Sequence, residues 1–132
     1  MAVGIDRNAV GRGALWTLAV ALPPVWLVSA LSSDDLPGEE SNLWLLTPVA
    51  LLAGFAVGGF AAGRRRVDTP LLHAAAAATA AFVAVALFGL IRRIVGDDDV
   101  TIAYLVRLLL LAQICVSTAL LGGWVAARRA AP

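Results

Sequence analysis

The chain has 132 residues, of which 61% are hydrophobic and only 14% charged, with a mean hydropathy of +0.88. Those values lie far outside the range of an ordinary soluble domain. The net charge of +1 conceals an uneven pattern, because every cation is an arginine and the arginines cluster. One cysteine, Cys115, and one histidine, His73, exclude a disulfide framework, a CxxC metal site and a histidine cluster within one chain.

Residues 1–12 carry Arg7 and Arg12 and read as a short solvated lead-in. A first apolar run of roughly 18 residues, Ala14 to Leu31, is long enough to span a bilayer. It stops at Ser32-Ser33-Asp34-Asp35. Its basic start and Val28-Ser29-Ala30 also fit a cleaved signal peptide, but the length of the run and its counterpart later in the chain point to a retained helix. Pro23-Pro24 falls in the middle of the run, where lost backbone donors and steric clash predict a kink. Broken helices at mid-membrane mark some transporter sites, whereas kinks re-satisfied by neighbouring helices are common in membrane spans. No charged residue lies near in sequence, which favours a structural kink.

The first loop, Asp34-Asp35-Leu36-Pro37-Gly38-Glu39-Glu40-Ser41-Asn42, holds four acids and no base, with a turn at Pro37-Gly38. A second apolar run, Leu43 to Gly63, carries Trp44 at its edge and ends in Gly58-Gly59-Phe60-Ala61-Ala62-Gly63-Arg64-Arg65-Arg66. After a very short loop, Asp68 or Thr69 caps a third helix that begins with Pro70 at its first position. That helix opens with Leu71-Leu72-His73 and the alanine tract Ala74 to Ala78, which keeps it thin enough for close neighbours. It ends at Arg92-Arg93, before Gly96-Asp97-Asp98-Asp99. The last run starts near Val100 and closes with Gly122-Gly123-Trp124-Val125-Ala126-Ala127-Arg128-Arg129.

An offset of 64 residues carries the first glycine–arginine motif onto the second without a gap. The same offset places Ser33-Asp34-Asp35-Leu36 on Asp97-Asp98-Asp99-Val100, and Leu45-Leu46 on Leu109-Leu110. We read two tandem helical hairpins in the same orientation, a parallel internal repeat about an axis along the membrane normal. With the N-terminus inside, Arg7, Arg12, Arg64, Arg65, Arg66, Arg128 and Arg129 are cytoplasmic, against Arg92, Arg93 and Arg107 outside. Asp34, Asp35, Glu39, Glu40, Asp97, Asp98 and Asp99 also fall outside. The arginine bias places both termini in the cytoplasm of a plasma (inner) membrane protein.

Gly54 with Gly58, and Gly59 with Gly63, form overlapping GxxxG pairs, repeated by Gly122 with Ala126 and Gly123 with Ala127. Small residues four apart admit a neighbouring backbone, either in a second copy or within the bundle. Arg64, Arg65, Arg66, Arg128 and Arg129 form the cytoplasmic anchor. The candidate polar site comprises His73, Arg92, Arg93, Arg107 and Gln113. Arg92, Arg93 and Arg107 meet the Asp97–Asp99 acids as a headgroup site or, favoured here, by mutual neutralisation and snorkelling. His73, near the Arg64–Arg66 loop, is expected to be a hydrogen-bonding anchor rather than a titrating ligand group. Gln113, Ser117 and Thr118 are expected to hydrogen-bond a neighbouring helix rather than line a pathway. No Asp or Glu lies inside an apolar run, which argues against a small proton-coupled antiporter.

The segment Gly58 to Arg65 followed by Leu71-Leu72-His73 resembles a family of small bacterial, actinobacterial-like four-helix integral membrane proteins of unknown function. Those proteins end helix two with GG-x-x-A-G-R-R and open helix three with Leu-His-Gly; Ala74 stands here in place of that glycine. The resemblance implies four helices in the plasma membrane and no activity. The expectation is thus an all-α, membrane-spanning four-helix bundle, one domain over 1–132, with helices at about 13–32, 43–63, 70–93 and 101–127. It is expected to be a non-enzymatic structural or accessory component, associating through its glycine faces, with a small channel or transporter, dimeric or not, as the alternative. The lipid bilayer is the expected partner, together with a second copy or another membrane protein. No metal, cofactor or nucleic acid is expected.

Overall fold

A computed structural model describes residues 4–31, 45–96 and 99–131. It contains four α-helices: α1 (Arg7–Leu31), α2 (Leu46–Arg65), α3 (Pro70–Val95) and α4 (Ile102–Ala130). All four are long and apolar enough to cross a membrane. The acidic loop around Pro37-Gly38, Trp44, and the acids Asp97 and Asp98 lie outside the described residues.

The largest departure from expectation is the start of α1, which begins at Arg7 rather than near residue 13. Asp6 explains it. Its Oδ1 accepts the backbone N–H groups of Asn8 (2.9 Å) and Ala9 (3.3 Å), and its carbonyl accepts the N–H of Val10 at 3.0 Å. An aspartate in this position satisfies donors that a first helical turn leaves open. The segment also packs: Ala9 is fully buried, and Gly13 lies against α2 and α3. At Pro23-Pro24 the helix continues without interruption. The other described ends fall within a few residues of expectation, and Pro70 does open α3 behind Thr69. Thr101 caps α4, its hydroxyl accepting the N–H of Tyr104 at 3.3 Å.

The helices alternate in direction. The start of α1, the α2–α3 turn and the end of α4 meet at one end, where Asp6 touches Arg66 and His73, and Gly63 approaches Gly123. That end also carries Arg7, Arg12, Arg64, Arg65, Arg128 and Arg129. At the opposite end the Arg93 guanidinium lies over the Tyr104 ring at 4.5 Å, joining α3 to α4. Helix α2 packs on all three others, as does α3, while α1 and α4 scarcely touch. The bundle is therefore a rhombus in section, with α1 and α4 at its far corners.

The core is made of small residues. Ala50, Ala62, Ala74, Ala77, Ala78, Ala81, Ala119 and Ala126 are buried, filled out by Phe55 and Cys115. The large apolar side chains point the other way. Trp26 is 73% exposed, Phe88 70% and Leu109 71%, and each helix has similar residues outside. The polarity of packing is inverted relative to a water-soluble bundle.

Candidate functional site

The glycines serve contacts inside the chain, on two different faces of α2. The first face turns to α1. A methyl group on Gly54 would lie 2.8 Å from the Thr17 carbonyl oxygen and 2.9 Å from Ala21 Cβ, and one on Gly58 would strike the Thr17 hydroxyl and the Gly13 carbonyl. The second face turns to α4. A Cβ on Gly59 would collide with the Ala119 carbonyl, and one on Gly63 would come 3.1 Å from Gly123 Cα. From the α4 side, Gly122 meets the Ala56 carbonyl, and Gly123 lies against α3, where an added Cβ would come 2.7 Å from Ala74 Cβ and 3.3 Å from the Pro70 carbonyl. Ala126 is buried beside Gly63 and Ala127 half-buried. At most of these crossings even a methyl group would clash, and at Gly63 it would be tight, so the backbones approach one another closely.

The arginine end holds a second cluster, of which the sequence pointed to only part. His73 is 1% exposed. Its Nε2 accepts the backbone N–H of Asp6 at 3.0 Å, which fixes the proton on Nδ1. That Nδ1–H faces the Thr69 carbonyl at 2.9 Å and the Thr69 hydroxyl at 3.1 Å. Thr69 thus lends its hydroxyl to the imidazole and not to the N-terminus of α3. Asp6 completes the set, its Oδ2 accepting the Arg66 Nε at 3.0 Å. The Arg66 hydrogen bond, joined by the N–H groups of Ala9 and Asn8, holds the Asp6 carboxyl below its ordinary value. His73 therefore ties the start of α1 to the start of α3, and Arg66 ties the same point to the end of α2. Asp6 was not among the sequence candidates and no motif in the chain marks it, while Thr69 was expected only as a helix cap.

The remaining arginines of that end stack on aromatic rings. Arg64 and Arg129 approach Phe60 at 5.7 and 5.6 Å, and Arg128 lies over Trp124 at 4.1 Å. These are cation–π distances. Arg65 is exposed.

Of the other candidates, Arg93 lies over the Tyr104 ring, while Asp97 and Asp98, two of the acids it was expected to face, lie outside the described residues. The Arg93 Nε is buried without a hydrogen bond among the described residues, and Arg92, Arg107 and Asp99 are exposed and form no ion pair there. Gln113 and Ser117 face outward, and Thr118 donates to the Ile114 carbonyl of its own helix at 2.8 Å instead of bridging to a neighbour. A hydroxyl four residues beyond a carbonyl finds that oxygen without help from another helix. His73 and Gln113 lie in different surroundings, so the five polar candidates do not form one site. Among the described residues no three histidine, cysteine or acidic side chains gather at metal-binding range.

Comparison with known proteins finds no significant match: no protein family, no curated protein and no solved structure is similar enough to the chain to assign it.

Proposed function

We propose that the chain is an integral protein of the plasma (inner) membrane, with both termini cytoplasmic, acting as a non-enzymatic structural or accessory component. The observation that carries this reading is the inverted packing: mostly alanine and glycine inside, and leucine with other large apolar side chains outside on all four helices. In water that surface would aggregate, whereas in lipid it is the favourable arrangement, because small residues let helices close on one another where no hydrophobic effect drives them together. The gathering of seven arginines at one end supports the orientation. Reporter fusions to the C-terminus and within residues 34–42 test it; an external C-terminus overturns the topology.

The glycine faces are occupied by the chain's own helices, so association with a partner falls to another surface. Helix α4 offers one. Leu109, Gln113, Ser117 and Leu121 follow at four-residue intervals and all point outward, with Leu109 71% and Leu121 64% exposed. An amide facing acyl chains is costly unless paired, and a second copy supplies a matching donor and acceptor. We read this stripe as the contact for a homo-oligomer or a membrane-protein partner. Oligomer size in mild detergent, wild type against Gln113→Leu, tests it: loss of the oligomer is expected, and an unchanged size removes the stripe from the reading.

The same outward Gln113 and Ser117 favour the second reading, a small channel or transporter formed between copies. Liposome flux assays separate the two, since a membrane that stays tight to every ion tried supports the accessory role and rejects the conducting one. We also propose an internal repeat, as a duplication in sequence and not as an exact twofold in the packing. It is supported by the Phe60–Arg64 and Trp124–Arg128 stacks, which sit at the 64-residue offset, and by the approach of Gly13 to its counterpart Ala77.

A further inference from the structure

At the arginine end a cleft of about 440 Å³ opens between α1 and α2. Arg12, Arg64 and Arg65 line its polar side, and Trp16, Val57 and Phe60 its apolar side. A second hollow of about 460 Å³ shares Phe60 and Arg64 and adds Arg129. Three features distinguish the first cleft from a plain cationic rim. None of Arg12, Arg64, Arg65 or Arg129 has a carboxylate partner among the described residues, because the ion pair of this end takes Arg66 to Asp6. Arg64 is held over the Phe60 ring, so one guanidinium is oriented before any ligand arrives. The wall continues from those cations onto outward-facing Trp16 and Val57, so charge and grease meet in one groove.

We propose that this cleft binds an anionic phospholipid, its phosphate held by Arg12, Arg64 and Arg65 and its first acyl segment lying along Trp16 and Val57. Guanidinium forks match phosphate oxygens, and basic recesses between helices on the cytoplasmic side suit anionic headgroups. The inference rests on the membrane reading above.

The test uses the full chain with Trp26, Trp44 and Trp124 changed to Phe, leaving Trp16 as the fluorophore, in phosphatidylcholine vesicles. Phosphatidylglycerol or phosphatidylcholine with brominated acyl chains is added at equal mole fraction. Surface attraction per arginine corresponds to about fivefold enrichment, so the anionic lipid should quench Trp16 about fivefold more effectively per molecule. Arg12→Gln with Arg65→Gln should abolish that preference. Arg7→Gln with Arg128→Gln removes the same charge from the same end outside the cleft and should preserve it. Equal quenching by both lipids, or equal loss in both double variants, overturns the proposal. Millimolar inorganic phosphate should leave the preference intact; if it erases the preference, the site takes a free anion and the lipid assignment fails. Failure of the membrane reading shows separately, as protein that does not float with the vesicles.

Discussion

The two hairpins occupy similar places in the sequence and are built on different principles. In α1–α2 the helices meet backbone to backbone: Gly13, Gly54 and Gly58 leave room only for Thr17 and Ala21. In α3–α4 the equivalents of Gly13 and Gly54 at the 64-residue offset are Ala77 and Thr118, and the far end is closed by the Arg93–Tyr104 stack. The paired glycines also exchange roles. Gly58 faces its own hairpin and Gly59 faces α4, whereas Gly122 faces α2 across the bundle and Gly123 faces α3 within its own hairpin. One residue is about 100° of helix, so α4 is turned by roughly that angle relative to α2. A true twofold would pair α1 with α4 as closely as α2 with α3, and α1 and α4 scarcely touch. Sequence equivalence thus does not guarantee contact equivalence when both neighbouring positions are glycine, because either can serve as the crossing point.

The sharpest way to break this comparison is to fill the crossings. Gly59→Leu drives a side chain into the Ala119 backbone, which cannot rotate away, and should cost about 3 kcal/mol or more in reversible unfolding followed by circular dichroism in mixed micelles. Unchanged stability would reject the α2–α4 contact. The matched pair Gly54→Ala and Thr118→Ala then compares the hairpins at equivalent positions. A methyl on Gly54 crowds the Thr17 carbonyl at 2.8 Å, and the gain in helix propensity offsets only part of the strain, leaving a loss of about 1–2 kcal/mol. Thr118 bonds only its own helix, so its replacement should stay within about 0.5 kcal/mol. Equal losses at both positions would contradict the distinction between the hairpins.

Next in size is His73, which joins the hairpins instead of belonging to one. His73→Ala leaves the Asp6 N–H and the Thr69 carbonyl without their partner and should cost about 1–3 kcal/mol. Helicity near residues 7–12 should fall with it, visible as faster amide exchange there. Fast exchange confined to α3 would instead separate the histidine from the start of α1.

What the sequence disclosed follows from what each signal depends on. Four helices and their approximate ends were legible because bilayer-length apolar runs and a proline at the first turn are local properties. The start of α1 was not. Gly11 and Gly13 lower helix propensity, and the cap that rescues the first turn is an aspartate made effective by Arg66, sixty residues away. His73 was legible as a residue near the Arg64–Arg66 loop, but its partners Asp6 and Thr69 were not, since a backbone N–H leaves no trace in a motif. The glycines announced close packing without naming which helix would use which face. The ring of Tyr104 under Arg93, reached across a turn, is visible only in space.

The Arg93–Tyr104 clip at the opposite end gives a smaller effect confined to α3–α4. Tyr104→Ala removes the ring under Arg93 and should destabilise by about 1 kcal/mol, whereas Tyr104→Phe keeps the ring and should change stability by less than about 0.5 kcal/mol. Equal losses in both would place the effect in the hydroxyl and not in the stack.

The smallest effect is the acid dependence at the other end, and its sign is fixed by Asp6. Because Arg66 and the N–H groups of Ala9 and Asn8 hold its carboxyl below the ordinary 3.8, the folded state binds the proton less readily than the unfolded chain. Its contribution is complete above the unfolded value and disappears as the pH falls through the lower, folded one. Asp6→Asn keeps an acceptor for the first turn of α1 but loses the charge that faces Arg66. The difference in unfolding midpoint between wild type and Asp6→Asn should therefore be constant from neutral pH down to about 5 and shrink below 4. A difference that stays constant to the lowest pH would show that the Asp6 charge is favoured neither by Arg66 nor by the N–H groups of the first turn. The two hairpins would then be joined at this end by the imidazole without the ion pair.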